Sequence, residues 1–104
     1  SGMWWDDVLG RGERVLMDGV VYKRKGLFST KRGLLLTDLP RLVFYDETKH
    51  LLKSEIPWSE SLKVELKGRK HFFIHTVKRT WYLEDPEGDA QRWVEKISEL
   101  LKRS

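Results

Sequence analysis

Cysteine is absent from this 104-residue chain. Disulfides and thiolate metal centres are therefore excluded as staples of the fold, and the chain is compatible with a reducing compartment. Long apolar runs are missing too: nothing approaches the roughly twenty residues that cross a bilayer, and no apolar signal-peptide core is visible. Nucleophile elbows, P-loops and dinucleotide glycine fingerprints do not occur, so the residues offer no catalytic machinery. His50, His71 and His75 lack metal-site spacing; His71 and His75 share one strand face, which alone is weak evidence for zinc. No metal and no cofactor are expected. The carboxylate pairs Asp6/Asp7 and Glu84/Asp85 fall at a helix start and a turn, where capping explains them better than acid–base chemistry.

The most informative absence is local. Residues 19–37 hold five basic side chains and no acid, while residues 1–18 hold two Arg and four acids, and residues 38–104 thirteen bases and twelve acids. The formal excess of +4 is thus concentrated in Lys23-Arg24-Lys25-Gly26-Leu27-Phe28-Ser29-Thr30-Lys31-Arg32. Gly26 marks a bend. A hairpin here sets two basic strand ends side by side around one mobile loop, an arrangement suited to a polyanion rather than to general stickiness. A merely solvated basic hairpin is the competing reading.

What is present is ring-rich and folded. Five Trp, four Phe and three Tyr in a chain of one-domain length argue for a single packed core and against disorder. The expected division is a tag remnant (Ser1-Gly2) and packed extension over residues 1–18, then one domain over 19–104. In the extension, Trp4, Trp5, Val8 and Leu9 have helical spacing, Gly10-Arg11-Gly12 ends that helix, and Glu13 to Met17 reads as a strand with Asp18-Gly19 as its turn. Seven strands are expected next, at residues 20–24, 31–37, 41–45, 51–56, 62–66, 71–75 and 80–83. Leu62, Val64 and Leu66 share one face of the fifth. Such spacing indicates an antiparallel sandwich or barrel. After Asp89, a good N-cap, Ala90, Trp93, Val94, Ile97, Leu100 and Leu101 form one helical stripe, with Trp93 expected in the core.

The strings Lys23-Arg24-Lys25-Gly26-Leu27-Phe28, Leu34-Leu35-Leu36-Thr37 and Glu55-Ile56-Pro57-Trp58-Ser59, with Phe72-Phe73, His75-Thr76, Arg79-Thr80, Asp85-Pro86, Gly88 and Trp93, resemble a pleckstrin-homology (PH) domain. More narrowly, they are similar to the one that ends a signalling serine/threonine protein kinase. The resemblance spans roughly residues 17–101. It implies a mainly β fold, a seven-stranded antiparallel barrel of two near-orthogonal sheets capped by a C-terminal α-helix, with a short N-terminal extension. It also implies a non-catalytic module that binds phosphatidylinositol 3,4,5-trisphosphate, the 3,4-bisphosphate and soluble inositol phosphates at the barrel's open end.

By matching position, the resemblance assigns the headgroup anchors to Lys23, Thr30 and Arg32, with Lys53 and Arg79 as further phosphate contacts. Thr30 departs from the family pattern by offering a hydroxyl where a guanidinium is usual. Arg32 and Arg79 suit bidentate phosphate grips, and Lys23 and Lys53 act as point charges; backbone amides of residues 26–30 could add a nest. Lys25, also counted in the site, joins Arg24 and Lys31 as cations drawn to an anionic leaflet. Leu27 and Phe28 either fold back on the barrel or meet the membrane, and Phe28 is the one expected at the interface. Lys67, Arg69 and Lys70 read as a solvated basic turn.

The expected partners are phosphoinositides and inositol polyphosphates, an anionic membrane surface, and the kinase domain of the parent chain. The implied location is cytoplasmic, with reversible recruitment to the plasma membrane. Two other readings stay open: a PH-fold protein-interaction module whose lipid binding is weakened by Thr30, and a small nucleic-acid-binding barrel. Acids spread over the other strands count against nucleic acid, which is not an expected partner.

Overall fold

The computed structural model describes residues 2–103, so Ser1 of the expected tag remnant lies outside them. Alternating apolar residues become seven antiparallel strands: β1 (Val15–Lys25), β2 (Phe28–Thr37), β3 (Arg41–Asp46), β4 (Leu51–Ile56), β5 (Lys63–Lys67), β6 (His71–His75) and β7 (Thr80–Glu84). One helix, α1 (Ala90–Lys102), follows. The strands bond as one sheet in the order β4-β3-β2-β1-β7-β6-β5. The expected pair of sheets is joined through β1, which pairs with β2 from Val15 to Lys25 but with β7 only over Tyr22, Lys23 and Arg24. The C-terminal end of β1 is therefore the hinge line between the two halves.

One strand face and one helix stripe make the core. Val21, Leu34, Leu36, Phe44, Phe72, Ile74 and Leu83 are fully buried against Ala90, Trp93 and Ile97 of α1. Trp93 stacks on Phe72 with ring centres 6.0 Å apart and planes 7° off parallel. Burying side chains of this size contributes about 1.5–3 kcal/mol each, so packing holds the helix more than intrinsic propensity does. Asp89 occupies the N-cap position, but its side chain makes no capping bond. The buried Asp85 organises the approach instead, accepting from the Glu87 amide at 2.9 Å and from Arg92 Nε at 3.2 Å. The Ala90 amide then donates to the Arg69 carbonyl at 2.9 Å, fastening the helix start to the β5–β6 turn.

Several local expectations change. There is no turn at Asp18-Gly19: both lie inside β1. A Cβ on Gly19 would stand 3.1 Å from Trp93 Cζ2 and 3.1 Å from Arg92 Nη2, so this glycine admits the helix rather than reversing the chain. The N-terminal helix is a single 3-10 turn, Trp4–Asp7. Leu62, just before β5, and Val64 on it meet the core, but Leu66 is 41% exposed near the strand's outer end.

The N-terminal segment is used rather than idle. Trp4 stacks on His50 at 4.7 Å and lies against Tyr45 at 4.8 Å. Gly33 faces Tyr45 so closely that a Cβ would fall 2.0 Å from its ring. Glu13, expected in a strand, is a tether: it accepts from Arg41 Nε at 2.9 Å, Arg41 Nη2 at 3.0 Å, Thr37 Oγ1 at 2.6 Å and the Gly10 amide at 2.7 Å.

A cation cleft beside the first hairpin

The strands β1 and β2 run right up to a two-residue turn, Gly26-Leu27, with Lys25 opposite Phe28. Gly26 takes a φ of 61°, the left-handed first position that a two-residue hairpin favours in glycine. The expected mobile loop is thus a tight turn. Phe28 to Thr30 belong to β2 rather than to an open amide nest, which leaves anion binding to side chains.

Strand alternation sorts those side chains. Lys23 lies directly opposite Thr30, and Val21 opposite Arg32, so Lys23, Lys25, Thr30 and Arg32 share the face of buried Val21 and Leu34. Arg24 and Lys31 take the other face. Across the hinge line, β7 and the turn before it bring Arg79 and Trp81 to the same place. The result is a cleft of ≈ 190 Å³ lined by Lys23, Lys25, Thr30, Arg32, Arg79 and Trp81, with Arg24 and Tyr82 at its edge.

Aromatic faces hold two of the cations. Lys23 Nζ stands 4.3 Å from the Phe44 ring centre, and the Arg79 guanidinium 4.2 Å from that of Trp81, a favourable electrostatic geometry. Arg32 Nη1 donates to the Lys31 carbonyl at 3.1 Å. Burial, then the charges of Arg32, Arg79 and Lys25, pushes the Lys23 ammonium below its ordinary pKa. Among the described residues, no carboxylate pairs with Lys23, Lys25, Arg32 or Arg79. Four cations therefore converge without an ion-paired carboxylate; Asp46, one strand over, feels the Arg32 charge but is held by the Thr48 and Lys49 amides. Such a site attracts a compact anion bearing several phosphates, which Arg grips in a fork and Lys as a point charge.

The other expected site residues fall elsewhere. Lys53 is exposed on β4, unmatched at the irregularity between Phe44 and Tyr45 of β3, and does not line the cleft. Lys31 Nζ pairs with Glu47 at 3.6 Å on the outer face. Leu27 and Phe28 do not fold back: they are 98% and 79% exposed. His71 faces Glu84 at 3.4 Å and His75 faces Glu65 at 2.9 Å, so each histidine has its own strand-neighbour carboxylate. Sequence reading missed Phe44 and Trp81 as supports for the cations. Their only signal was strand alternation, which does not reveal which distant strand comes alongside.

Comparison with known proteins gives a consistent picture. A PH-domain family model matches residues 3–104. The chain is 49% identical over 89 residues to the human 3-phosphoinositide-dependent protein kinase 1, covering 86% of this chain and 16% of that protein. It is 47% identical over 96 residues to a probable serine/threonine-protein kinase of Dictyostelium discoideum (92% and 14%). A Caenorhabditis elegans 3-phosphoinositide-dependent protein kinase 1 matches at 42% over 89 residues (86% and 14%). The chain thus spans between 14% and 16% of the length of these relatives.

Proposed function

The chain belongs to the PH-domain family, and on that premise we propose that it is the non-catalytic phosphoinositide-binding module of a signalling serine/threonine kinase. Its ligands are phosphatidylinositol 3,4,5-trisphosphate, the 3,4-bisphosphate and the matching soluble inositol phosphates. The observation that carries this reading is the convergence of Lys23, Lys25, Arg32 and Arg79 without a carboxylate partner. A phosphorylated inositol ring relieves that repulsion with charge of the opposite sign, and relatives whose names make them dependent on 3-phosphoinositides support the choice of ring. Residues 1–18 act as an extension packed on the domain. In the cell the module is cytoplasmic and returns reversibly to the plasma membrane, with Arg24, Lys25 and Lys31 adding attraction to the anionic leaflet.

Titration with vesicles carrying the trisphosphate, the 3,4-bisphosphate or phosphatidylserine alone tests this. Wild type should prefer the 3-phosphorylated lipids, and reversing Lys23 and Arg32 to Glu should abolish that preference. Unchanged binding in the double variant would refute the reading. A second reading has its own observation: exposed Thr30 stands directly opposite Lys23, where a guanidinium would add a fifth cation. In that reading the PH fold serves protein interaction with weakened lipid binding. Thr30→Arg should then raise trisphosphate affinity sharply, whereas a twofold change or less would remove Thr30 as the weak point.

A further inference from the structure

Three apolar side chains lie on the chain just after Lys25 and just before Arg79, two residues that line the cleft, and headgroup binding leaves them unused. Leu27 is 98% exposed, Phe28 79% and Val77 88%. Single exposed apolar residues are ordinary, but Leu27 and Val77 stand on turns and Phe28 opens β2 beside the first of them. The ladder sets Tyr22 against Glu84, Lys23 against Leu83 and Arg24 against Tyr82. The ladder stops there, yet Lys25, Arg79 and Trp81 still line one cleft, so the chain entering the β1–β2 turn and the chain leaving the β6–β7 turn stand close together.

Both turns are held from within. Gly26 shapes the first. In the second, the Thr76 amide donates to the Arg79 carbonyl at 2.9 Å, Thr76 Oγ1 donates to the same carbonyl at 3.0 Å, and the Arg79 amide donates back to Thr76 Oγ1 at 3.2 Å. That clamp presents Val77 and Lys78 at its tip, both exposed. Each apolar tip is also flanked by cations, Lys25 on one side of the cleft and Lys78 and Arg79 on the other. Apolar tips above a cationic collar match the two layers of an anionic membrane surface, acyl boundary and phosphate plane.

We propose that Val77 is a second membrane-insertion point, entering the acyl boundary of an anionic bilayer together with Leu27 and Phe28. The inference rests on the headgroup reading above, because a lipid held in the cleft brings both turns to the surface at once. Two prongs on opposite sides of one bound headgroup fix the tilt of the module, which a single loop tip cannot do.

The absence of cysteine makes single-site labelling clean. Val77→Cys, Leu27→Cys and, as control, Leu39→Cys carry an environment-sensitive fluorophore; Leu39 is 63% exposed beyond the far end of β2. On vesicles of phosphatidylcholine, phosphatidylserine and phosphatidylinositol 3,4,5-trisphosphate, the labels at 27 and 77 should shift to the blue and be quenched by acyl-chain spin labels, while 39 stays water-like. Val77→Asp should lower vesicle affinity about tenfold and leave affinity for soluble inositol 1,3,4,5-tetrakisphosphate within about twofold. A water-like label at 77 on bound vesicles, or unchanged vesicle affinity of Val77→Asp, overturns the inference while leaving the headgroup reading intact. Failure of the wild type to bind the tetrakisphosphate overturns the headgroup reading and this inference with it.

Discussion

At the C-terminal end of β2 the Glu13 carboxylate, its side chain only 2% exposed, receives donors from Arg41, Thr37 and the Gly10 amide. Towards the other end of the same strand Lys23, Lys25, Arg32 and Arg79 gather with no carboxylate among them. Burial by itself raises the Glu13 pKa. The hydrogen bonds from Arg41, Thr37 and Gly10, with the Arg41 charge, outweigh it and hold the carboxyl at about 2. In the cleft, burial and charge act in the same direction and both disfavour the Lys23 ammonium. A satisfied charge cluster serves the fold. An unsatisfied one works against stability, and such a cluster in a cleft is a candidate for binding.

The largest expected effect comes from breaking the satisfied end. Arg41→Ala leaves Glu13 buried without its charge partner and should cost about 3 kcal/mol in urea unfolding, with headgroup affinity unchanged. Arg32→Ala should do the reverse. Losing a charge-assisted grip costs on the order of 2 kcal/mol, or about thirtyfold in trisphosphate affinity by titration, with unfolding hardly altered. Should Arg32→Ala unfold the domain, or Arg41→Ala abolish lipid binding, the separation of the two ends would be lost.

Acid gives the next test. The folded Glu13 pKa of about 2 lies below its ordinary value of 4.5. The stability it contributes is therefore complete above about pH 4.5 and lost as pH falls towards 2, on the order of 2 kcal/mol. Thermal unfolding against pH should show that decline, and Glu13→Gln should flatten it. The smallest effect is the most diagnostic. Lys23→Met removes an ammonium that its surroundings disfavour and should raise stability by about 0.5 kcal/mol while lowering headgroup affinity. A clear loss of stability would mean that the ammonium serves the fold through its contact with Phe44.

How much was legible follows from the range of each signal. Alternation over residues 62–66 and the stripe through Trp93 and Ile97 are local periodicities, and they became β5 and α1. The cationic hairpin was legible for the same reason, since Lys23 and Arg32 are close in sequence. Gly19 was misread because its role is set by Trp93 and Arg92, more than seventy residues away. Nothing near Gly19 distinguishes a glycine that makes room from one that turns.

By itself, then, the sequence determined the seven-strand period, the closing helix and the side of the molecule that carries the charge, because each depends on neighbours within one element or one hairpin. Tertiary structure alone decided which distant side chains complete the cleft. It brought Arg79 and Trp81 alongside Lys23 and Lys25 through the short β1–β7 ladder and left Lys53 outside. Strand order across the hinge line is a long-range outcome of packing one core, and no local pattern of residues encodes it.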